Sequence, residues 1–178
     1  PSNSARKQSL DYVQFPRETL QQRTGDCDDL AVLYSSVLES IGIETALILV
    51  PGHIFMAYAT DAHPNAAHTI SLNAADYLIG HGKVWIPIET TLIPKGYGEA
   101  WKQGAKEAKR WVKEKKLTLM PTHIAWRDHP PMALPKADVK VEVNGQALEE
   151  KVDWMVKFLA AKQKSYLSGQ LKDLSKQA

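Results

Sequence analysis

A single cysteine, placed where a helical pattern begins, constrains the fold of this chain more than any other feature. Cys27 follows Gly25 and Asp26 and precedes a segment in which apolar residues recur at steps of three and four. Asp26 is therefore predicted to be the N-cap and Cys27 the first helical residue. Because a lone thiol cannot form an internal disulfide, the fold depends on packing rather than on cross-links.

The predicted position of Cys27 favours a chemical role for its sulfur. Backbone N–H groups and the positive dipole end at a helix start favour a thiolate and can donate to an oxyanion. The alternative is a small apolar residue in the buried helix face, the usual role of a single buried cysteine. Three neighbouring carboxylates, at Asp26, Asp28 and Asp29, lie outside the apolar stripe together with Cys27 and favour a nucleophile.

A nucleophilic cysteine needs a base and a group that orients the base, and the chain offers both. His53 opens a predicted strand after the Pro51-Gly52 turn, and Glu89 closes the pattern Val84-Trp-Ile-Pro-Ile-Glu. Alternation places Glu89 on one strand face with a Trp and a Pro, and the Pro predicts an edge or a bulge. The alternatives are a surface or capping role for His53 and an edge-strand salt bridge for Glu89.

These residues carry a resemblance to a known family. The helix start Gly25-Asp-Cys-Asp-Asp29, the strand-opening His53 and the strand Trp85-x-Pro-x-Glu-x-Thr91 resemble the transglutaminase-like superfamily of papain-fold cysteine enzymes. The resemblance covers residues 13–91, and the segment Phe15-Pro-Arg-Glu18 looks most similar to bacterial transglutaminase-like cysteine peptidases. Two departures are the Glu at the acid position and the extra residues between the His and acid strands.

The resemblance implies an α+β fold with a papain-like core, in which the nucleophile helix packs on an antiparallel sheet. It also implies a catalytic triad of Cys27, His53 and Glu89 and acyl transfer from protein or peptide amides. Hydrolysis is favoured because the bacterial relatives include peptidases. The alternatives are amine transfer of the transglutaminase type and a catalytically silent protein-interaction module.

Two metal hypotheses and one oxyanion hypothesis remain open at this stage. The resemblance favours calcium at Asp26 and Asp28, because carboxylate oxygens suit calcium, whereas the alternative is helix capping and a dipole interaction. No other cofactor is expected. Histidines in the segment 61–83 leave a metal-dependent hydrolase as a weaker alternative, although their spacing fits no ligand signature. An oxyanion donor is sought among three upstream glutamines, Gln14, Gln21 and Gln22.

Composition limits the class of partner. The chain has 178 residues, with 22 basic and 20 acidic side chains and a net charge of +2. This balance argues against nucleic acid as a partner, and no apolar run is long enough to insert into a membrane. Because the first residue is Pro1, we expect a piece of a longer multidomain chain. Localisation stays open, and the resemblance favours a periplasmic or extracytoplasmic site.

The chain is predicted to consist of a catalytic domain over residues 1–126, a proline-rich linker over 127–137 and an appendage over 138–178. Within the domain the patterns predict a polar start over 1–10 and strands over 43–50, 53–60 and 84–89. A long insertion over 61–83, with a short helix or lid, separates the last two of these strands. A helix over 99–116 and a last strand over 117–126 follow. The appendage is predicted to hold a strand over 139–143 and a helix over 146–174.

Overall fold

The fold is built on one five-stranded antiparallel sheet, with an order of β3-β4-β2-β1-β5. The computed structural model describes residues 12–132, 134–135 and 144–176. The strands are β1 (Thr45–Val50), β2 (His53–Ala59), β3 (Leu78–Gly80), β4 (Lys83–Ile88) and β5 (Thr118–Pro121). The α-helices are α1 (Pro16–Gln22), α2 (Cys27–Ser40), α3 (Tyr97–Lys113), α4 (Thr122–Asp128) and α5 (Gly145–Ser175). This is the α+β class that the sequence predicts.

The central hairpin of the sheet places His53 at the end of a strand. β1 and β2 pair from Thr45↔Tyr58 to Val50↔His53, and the two-residue turn between them contains Gly52 at a φ of +73°. A positive φ favours glycine, so the Pro51-Gly52 sequence fixes the turn and the register follows from it. His53 therefore shares a sheet face with its pairing partner Val50 and with Phe55.

Pro87 lies in an inner strand but at a point where that strand has a free edge. β4 pairs with β2 through Ala57↔Pro87, whereas β3 pairs only with residues Lys83 to Trp85. The missing N–H of Pro87 therefore costs no ladder hydrogen bond on the β3 side. Helix α3 covers this edge so closely that a Cβ on Gly104 would lie 2.6 Å from the Pro87 carbonyl oxygen. The predicted edge position is confirmed, because α3 replaces a neighbouring strand.

The core has one part on each face of the sheet. On the His53 face, buried apolar side chains from three strands pack against Ala108 of α3: Ala46, Ile48, Phe55, Ala57 and Trp85. On the opposite face, a second buried set packs between the sheet, α2 and the first half of α3: Met56, Ile86, Ile88, Ala100, Trp101 and Ala105. Both faces are covered, so the strands carry apolar residues on both sides.

The insertion between β2 and β4 folds into short elements held by one carboxylate. It contains 3₁₀ helices over Pro64–Thr69 and Ala74–Asp76, followed by β3. The Asp76 carboxylate accepts a hydrogen bond of 2.6 Å from the Ser71 hydroxyl and pairs with Lys162 of α5 at 2.7 Å. The indole of Trp101 donates to the Asp76 carbonyl at 2.7 Å. The insertion is therefore tied to both α3 and α5.

One sequence prediction on the C-terminal side is wrong. Residues 117–126 were expected to form one strand, but the chain forms β5 and then turns into α4 at Thr122, whose hydroxyl donates to the Thr45 carbonyl of β1. The predicted strand over 139–143 and the polar start over 1–10 lie outside the described residues. The helix predicted over 146–174 is present as α5. Within the described ranges, the helices lack the combination of length and apolar character that spanning a membrane requires.

Candidate active site

The start of α2 is shaped by the residues on either side of its cap. Asp26 has a non-helical φ of −89°, and its side chain accepts a long hydrogen bond of 3.5 Å from the Asp29 N–H. Gly25 lies so close to α1 and α2 that a Cβ there would be 2.8 Å from the Asp29 Cβ and 3.0 Å from Thr19. The Gly-Asp-Cys sequence therefore lets α1 approach the start of α2 and confirms Asp26 as the N-cap.

Asp29 fixes the segment that precedes α1. This residue is 3% exposed, and its carboxylate accepts hydrogen bonds from the Gln14 backbone N–H at 2.7 Å and from Gln14 Nε2 at 2.6 Å. A third N–H, from Asp26, donates to it at 3.2 Å. A buried carboxylate is stable only with such donors. Asp29 therefore anchors residue 14 beside the first turn of α2.

His53 and Glu89 form a close pair. His53 Nε2 lies 2.7 Å from Glu89 Oε2, the Glu89 side chain is only 6% exposed, and the His53 side chain is 31% exposed. The imidazole also stacks on Phe55, with ring centroids 5.7 Å apart. The acid is therefore buried behind the ring, whereas the ring itself keeps access to solvent. A bond through Nε2 leaves Nδ1 as the ring nitrogen for any further partner.

The second carboxylate oxygen of Glu89 is also bound. Oε1 accepts from the Thr91 hydroxyl at 2.6 Å and from the Thr91 backbone N–H at 3.2 Å. The Glu89 backbone N–H donates to the Ala100 carbonyl of α3 at 3.0 Å. Glu89 directly follows β4 and caps the 3₁₀ helix Thr90–Lys95. Its side chain and its backbone are therefore both held in place.

Cys27 lies at the first position of α2 and is half-buried. Helix α2 packs on β2, the strand that His53 opens. Among the hydrogen bonds of the described residues, none joins the Cys27 thiol to His53. The structure thus brings two of the three predicted triad residues together, His53 and Glu89, and places Cys27 on the neighbouring element.

A family model described as a transglutaminase-like domain matches residues 2–102, which is more than half of the chain. The chain belongs to this family. Searches of curated proteins and of solved structures found no significant match. The matched region of the transglutaminase-like domain includes Cys27, His53 and Glu89 and ends within α3. Family membership indicates cysteine-dependent acyl transfer, in a family whose members are usually cysteine peptidases or transferases.

In the described part of this transglutaminase-like domain, the three aspartates beside Cys27 are grouped closely enough to hold a metal ion. Ligand atoms of Asp26, Asp28 and Asp29 lie within 4.8 Å of one another. A side-chain hydrogen bond with Asp28 raises the pKa of Asp26 above its ordinary value, and partial burial adds to this increase. Asp29 already accepts three N–H groups, so Asp26 and Asp28 are the two carboxylates with oxygens available to a cation.

The other sequence candidates occupy different surroundings. His63, His68 and His81 are exposed and lie apart from the aspartate group. The insertion also contains Asp61 and Asp76, which would be the acids to test if Glu89 lay away from His53; Asp61 is exposed and Asp76 is bound to Ser71 and Lys162. Gln21 and Gln22 are exposed at the end of α1, whereas Gln14 donates its amide to Asp29.

Three interacting residues were not foreseen as partners. Thr91 belongs to the strand motif, yet its role as a double donor to Glu89 depends on how the chain turns after β4. Gln14 and Asp29 are 15 positions apart in sequence and meet only because α1 folds back on α2. The spacing from Asp26 to Asp29, typical of a capping box, was the one available signal for Asp29.

Proposed function

We propose that this transglutaminase-like domain hydrolyses peptide or amide bonds through a triad of Cys27, His53 and Glu89. The observation that carries the proposal is the 2.7 Å contact of His53 Nε2 with the buried Glu89 carboxylate. A carboxylate accepts a hydrogen bond from Nε2–H, so it favours the tautomer that leaves Nδ1 as a base. The half-buried thiol on α2, which packs on the His53 strand, is the partner for that base.

In the proposed reaction, Cys27 Sγ attacks the amide carbonyl carbon while its proton passes to His53 Nδ1. His53 then returns the proton to the leaving amine as the carbon–nitrogen bond breaks, which leaves a thioester on Cys27. Water, deprotonated by the same imidazole, releases the acid and regenerates the thiol. Backbone N–H groups at the start of α2 stabilise the oxyanion. Glu89 holds the imidazole orientation throughout.

Alkylation of the full chain by iodoacetamide at pH 7, followed by mass spectrometry, tests whether Cys27 is activated. We expect Cys27 to react about tenfold faster than N-acetylcysteine, because a few per cent of an ordinary thiol is ionised at this pH. His53→Ala is expected to remove this advantage, and His123→Ala, another partly exposed histidine, is the matched control. Reaction at the reference rate, unaffected by His53→Ala, would identify a silent interaction module.

A peptide mixture and the amine monodansylcadaverine separate hydrolysis from transfer. We expect new peptide termini in the presence of wild-type chain and none with Cys27→Ala. Incorporation of the dansyl amine into glutamine side chains, without new termini, would instead assign transferase activity to the same three residues. A double variant that combines Cys27→Ala with His53→Ala is expected to be no less active than Cys27→Ala alone, since the residues act as a unit.

We also propose that Asp26 and Asp28 bind calcium weakly. Two carboxylates are too few for a shell of about six to eight oxygens, so water completes it, which predicts a Kd of about 10⁻⁴–10⁻³ M. The buried Gln14 Oε1, which finds no hydrogen-bond partner among the described residues, is a further oxygen next to this group. Affinity of this order fits the extracytoplasmic location that the family resemblance favours.

Titration calorimetry with calcium chloride tests this site. We expect binding heat that Asp28→Asn abolishes and that Asp153→Asn, an exposed residue of α5, leaves unchanged. Chelation of calcium is expected to lower the unfolding temperature of wild-type chain only. Two results together would contradict the calcium site: no binding heat at millimolar calcium, and an unfolding temperature that the chelator does not change. Asp26 and Asp28 would then have capping roles alone.

A further inference from the structure

A large apolar cavity lies on the sheet face opposite to His53. Its volume is about 660 Å³, and its walls come from α2, the sheet, the insertion, α3 and α5. Six of its lining residues are Val37, Met56, Tyr58, Ile86, Tyr97 and Leu159. Met56 and Ile86 alternate along their strands with Phe55 and Trp85, which face the other way. The lining includes none of Cys27, His53 and Glu89, so this cavity is separate from the candidate active site.

The described residues that form the walls of the cavity carry no charge. Every lining side chain is aliphatic, aromatic, a methionine or a threonine. Transfer of an unpaired charge into such surroundings is strongly unfavourable. The volume falls within the usual range of small-molecule sites, about 300–1,000 Å³. The cavity therefore selects an uncharged molecule of small to medium size.

Two phenols form a polar pair in the apolar wall; the Thr60 and Thr69 hydroxyls of the lining already donate to the Val84 and Ala66 carbonyls. The hydroxyl oxygens of Tyr58 and Tyr97 lie 2.5 Å apart, and they have no second hydrogen-bond partner among the described residues. Burial raises the pKa of both phenols above the ordinary value, so both keep their protons at neutral pH. Two hydroxyl groups bring two protons, and the bond between them uses one. The other proton is available to an acceptor inside the cavity.

Helix α5 forms part of the cavity wall. Met155 and Leu159 line the cavity, and Gln163, one turn further on, is fixed by its side-chain amide. Gln163 Oε1 accepts from the Leu72 N–H at 3.0 Å, and Gln163 Nε2 donates to the Ile70 carbonyl at 3.3 Å. Because the chain itself covers this side, the space that remains suits a small molecule better than a peptide helix.

We propose that the cavity binds an uncharged, mainly apolar small molecule that carries one carbonyl-type oxygen, with that oxygen accepting a hydrogen bond from the free O–H of the Tyr58–Tyr97 pair. The apolar body of the molecule fills the space between Met56, Ile86 and Leu159. The pair of phenols supplies orientation, because its two hydroxyl groups share one hydrogen bond and keep one further donor. The site is independent of the triad, so its occupancy does not require a reactive Cys27.

Three related probes test the proposal on the full chain: benzophenone, diphenylmethane, which replaces the carbonyl by CH₂, and the charged 4-benzoylbenzoate. We expect benzophenone to bind about three- to tenfold more tightly than diphenylmethane in titrations followed by tryptophan fluorescence, since one hydrogen bond distinguishes them. 4-Benzoylbenzoate is expected to bind more weakly than both. Irradiation of bound benzophenone is expected to label lining residues such as Met56, Met155 or Leu159.

Variants of the two phenols provide the decisive comparison. Tyr58→Phe with Tyr97→Phe is expected to remove the preference for benzophenone and to leave diphenylmethane affinity unchanged. Each single variant is expected to keep the preference, because the remaining hydroxyl still has a free proton. Tyr166→Phe, on α5 and outside the cavity, is the control. Equal affinities in wild-type chain, a preference that survives the double variant, no binding at all, or labelling elsewhere would each overturn the proposal.

Discussion

Glu89 is bound by more groups than the orientation of a histidine requires. Both carboxylate oxygens are occupied, Oε2 by His53 and Oε1 by Thr91, and its backbone N–H is bound to Ala100. A side chain held at both carboxylate oxygens cannot rotate away without breaking hydrogen bonds, each of which is costly to leave unmade. The pair with His53 therefore has a fixed geometry before any substrate arrives.

Replacement of Glu89 by Gln is expected to lower the turnover number by about 10²- to 10⁴-fold while the domain stays folded. The Gln oxygen can still accept from Thr91, which turns its NH₂ group towards His53 Nε2. That NH₂ donates, so the imidazole proton moves to Nδ1 and the base for Cys27 is lost. Activity on a peptide substrate and the unfolding temperature are the measurements.

Glu99→Gln is the matched control for this variant, because Glu99 is an exposed residue that pairs only loosely with Lys102 at 3.6 Å. The same change of charge there is expected to leave turnover unchanged. Full activity of Glu89→Gln would show that this carboxylate does not set the tautomer of His53.

Asp26→Asn is expected to gain stability relative to wild-type chain as the pH rises from about 3.8, the ordinary value for this carboxyl. The hydrogen bond with Asp28 raises the pKa of Asp26 in the folded state. The stabilisation of wild-type chain by the protonated Asp26 carboxyl is therefore present below the unfolded-state pKa and is lost as the pH rises through the folded-state pKa. Asn keeps an oxygen for the cap but never ionises. Unfolding temperatures measured across acidic and neutral pH, without calcium, give the comparison.

Asp61→Asn, at an exposed position of the insertion, provides the reference for loss of one surface charge. We expect its effect to vary less with pH in this range. A constant difference between wild-type chain and Asp26→Asn would mean that Asp26 and Asp28 do not share a proton.

At the scale of elements, α2 shows which features of a helix the spacing of apolar residues predicts. Its apolar spacing predicts a helix that starts at Cys27 and that Gly42 closes. The structure matches both ends, and Gly42 has the positive φ, +83°, of a residue after a helix end. The same spacing predicts an apolar stripe that includes Val37 but neither Ala31 nor Ser35. The buried face differs from it, because Ala31 and Ser35 are buried, whereas Val37 is 48% exposed. The spacing of apolar residues distinguishes the two faces of a helix, but it does not show how much of the apolar face the neighbouring elements cover. Here the apolar cavity lies beside Val37.

Helix α3 controls the position of the acid strand through Gly104. A Cβ at this position would lie 2.6 Å from the Pro87 oxygen and 2.8 Å from the Glu89 nitrogen, both rigid backbone atoms. Gly104→Ala is therefore expected to destabilise the domain by about 1–3 kcal/mol, despite the better helix propensity of Ala. Any folded fraction is expected to lose activity as Glu89 moves. Chemical denaturation and turnover measure the two effects.

Gly169 is the control for helix propensity, because a Cβ there meets no atom within 4 Å. Gly169→Ala is expected to be neutral or to stabilise α5 by about 0.5–1 kcal/mol. If Gly104→Ala behaved in the same way, the close contact between α3 and β4 would not constrain the site.

At the scale of the whole molecule, sequence reasoning identified the fold class and predicted the contact of His53 with Glu89, but not the attachment of α5. The pairing of His53 with Glu89 could be anticipated because the resemblance covers both strands; their catalytic role and the proposed domain boundaries remain predictions. The contacts of Gln163 with Ile70 and Leu72 join positions more than 90 residues apart. No local pattern encodes such a contact.

Lys162→Met is expected to weaken the attachment of α5 by about 1–3 kcal/mol, because it leaves the nearly buried Asp76 carboxylate without its cation. Lys162 Nζ lies 2.7 Å from Asp76 and 4.7 Å from the centroid of the Trp101 ring. Amide hydrogen exchange in α5 measures the attachment locally. Lys164→Met, two residues away and exposed, is the control. Equal protection of α5 in both variants would contradict a structural role for this ion pair.

The aromatic rings between α3 and α5 make that attachment observable by light. Trp154 stacks on Phe158 with centroids 5.0 Å apart, and Phe158 lies 6.2 Å from Trp101 at the place where Gly98 has no side chain. Trp85, by contrast, is fully buried in the other half of the core. An indole held against another ring gives a near-ultraviolet circular dichroism signal that vanishes once the rings separate. Release of α5 would therefore change this signal while the far-ultraviolet spectrum still reported intact helices, and the two spectra together would distinguish undocking from unfolding.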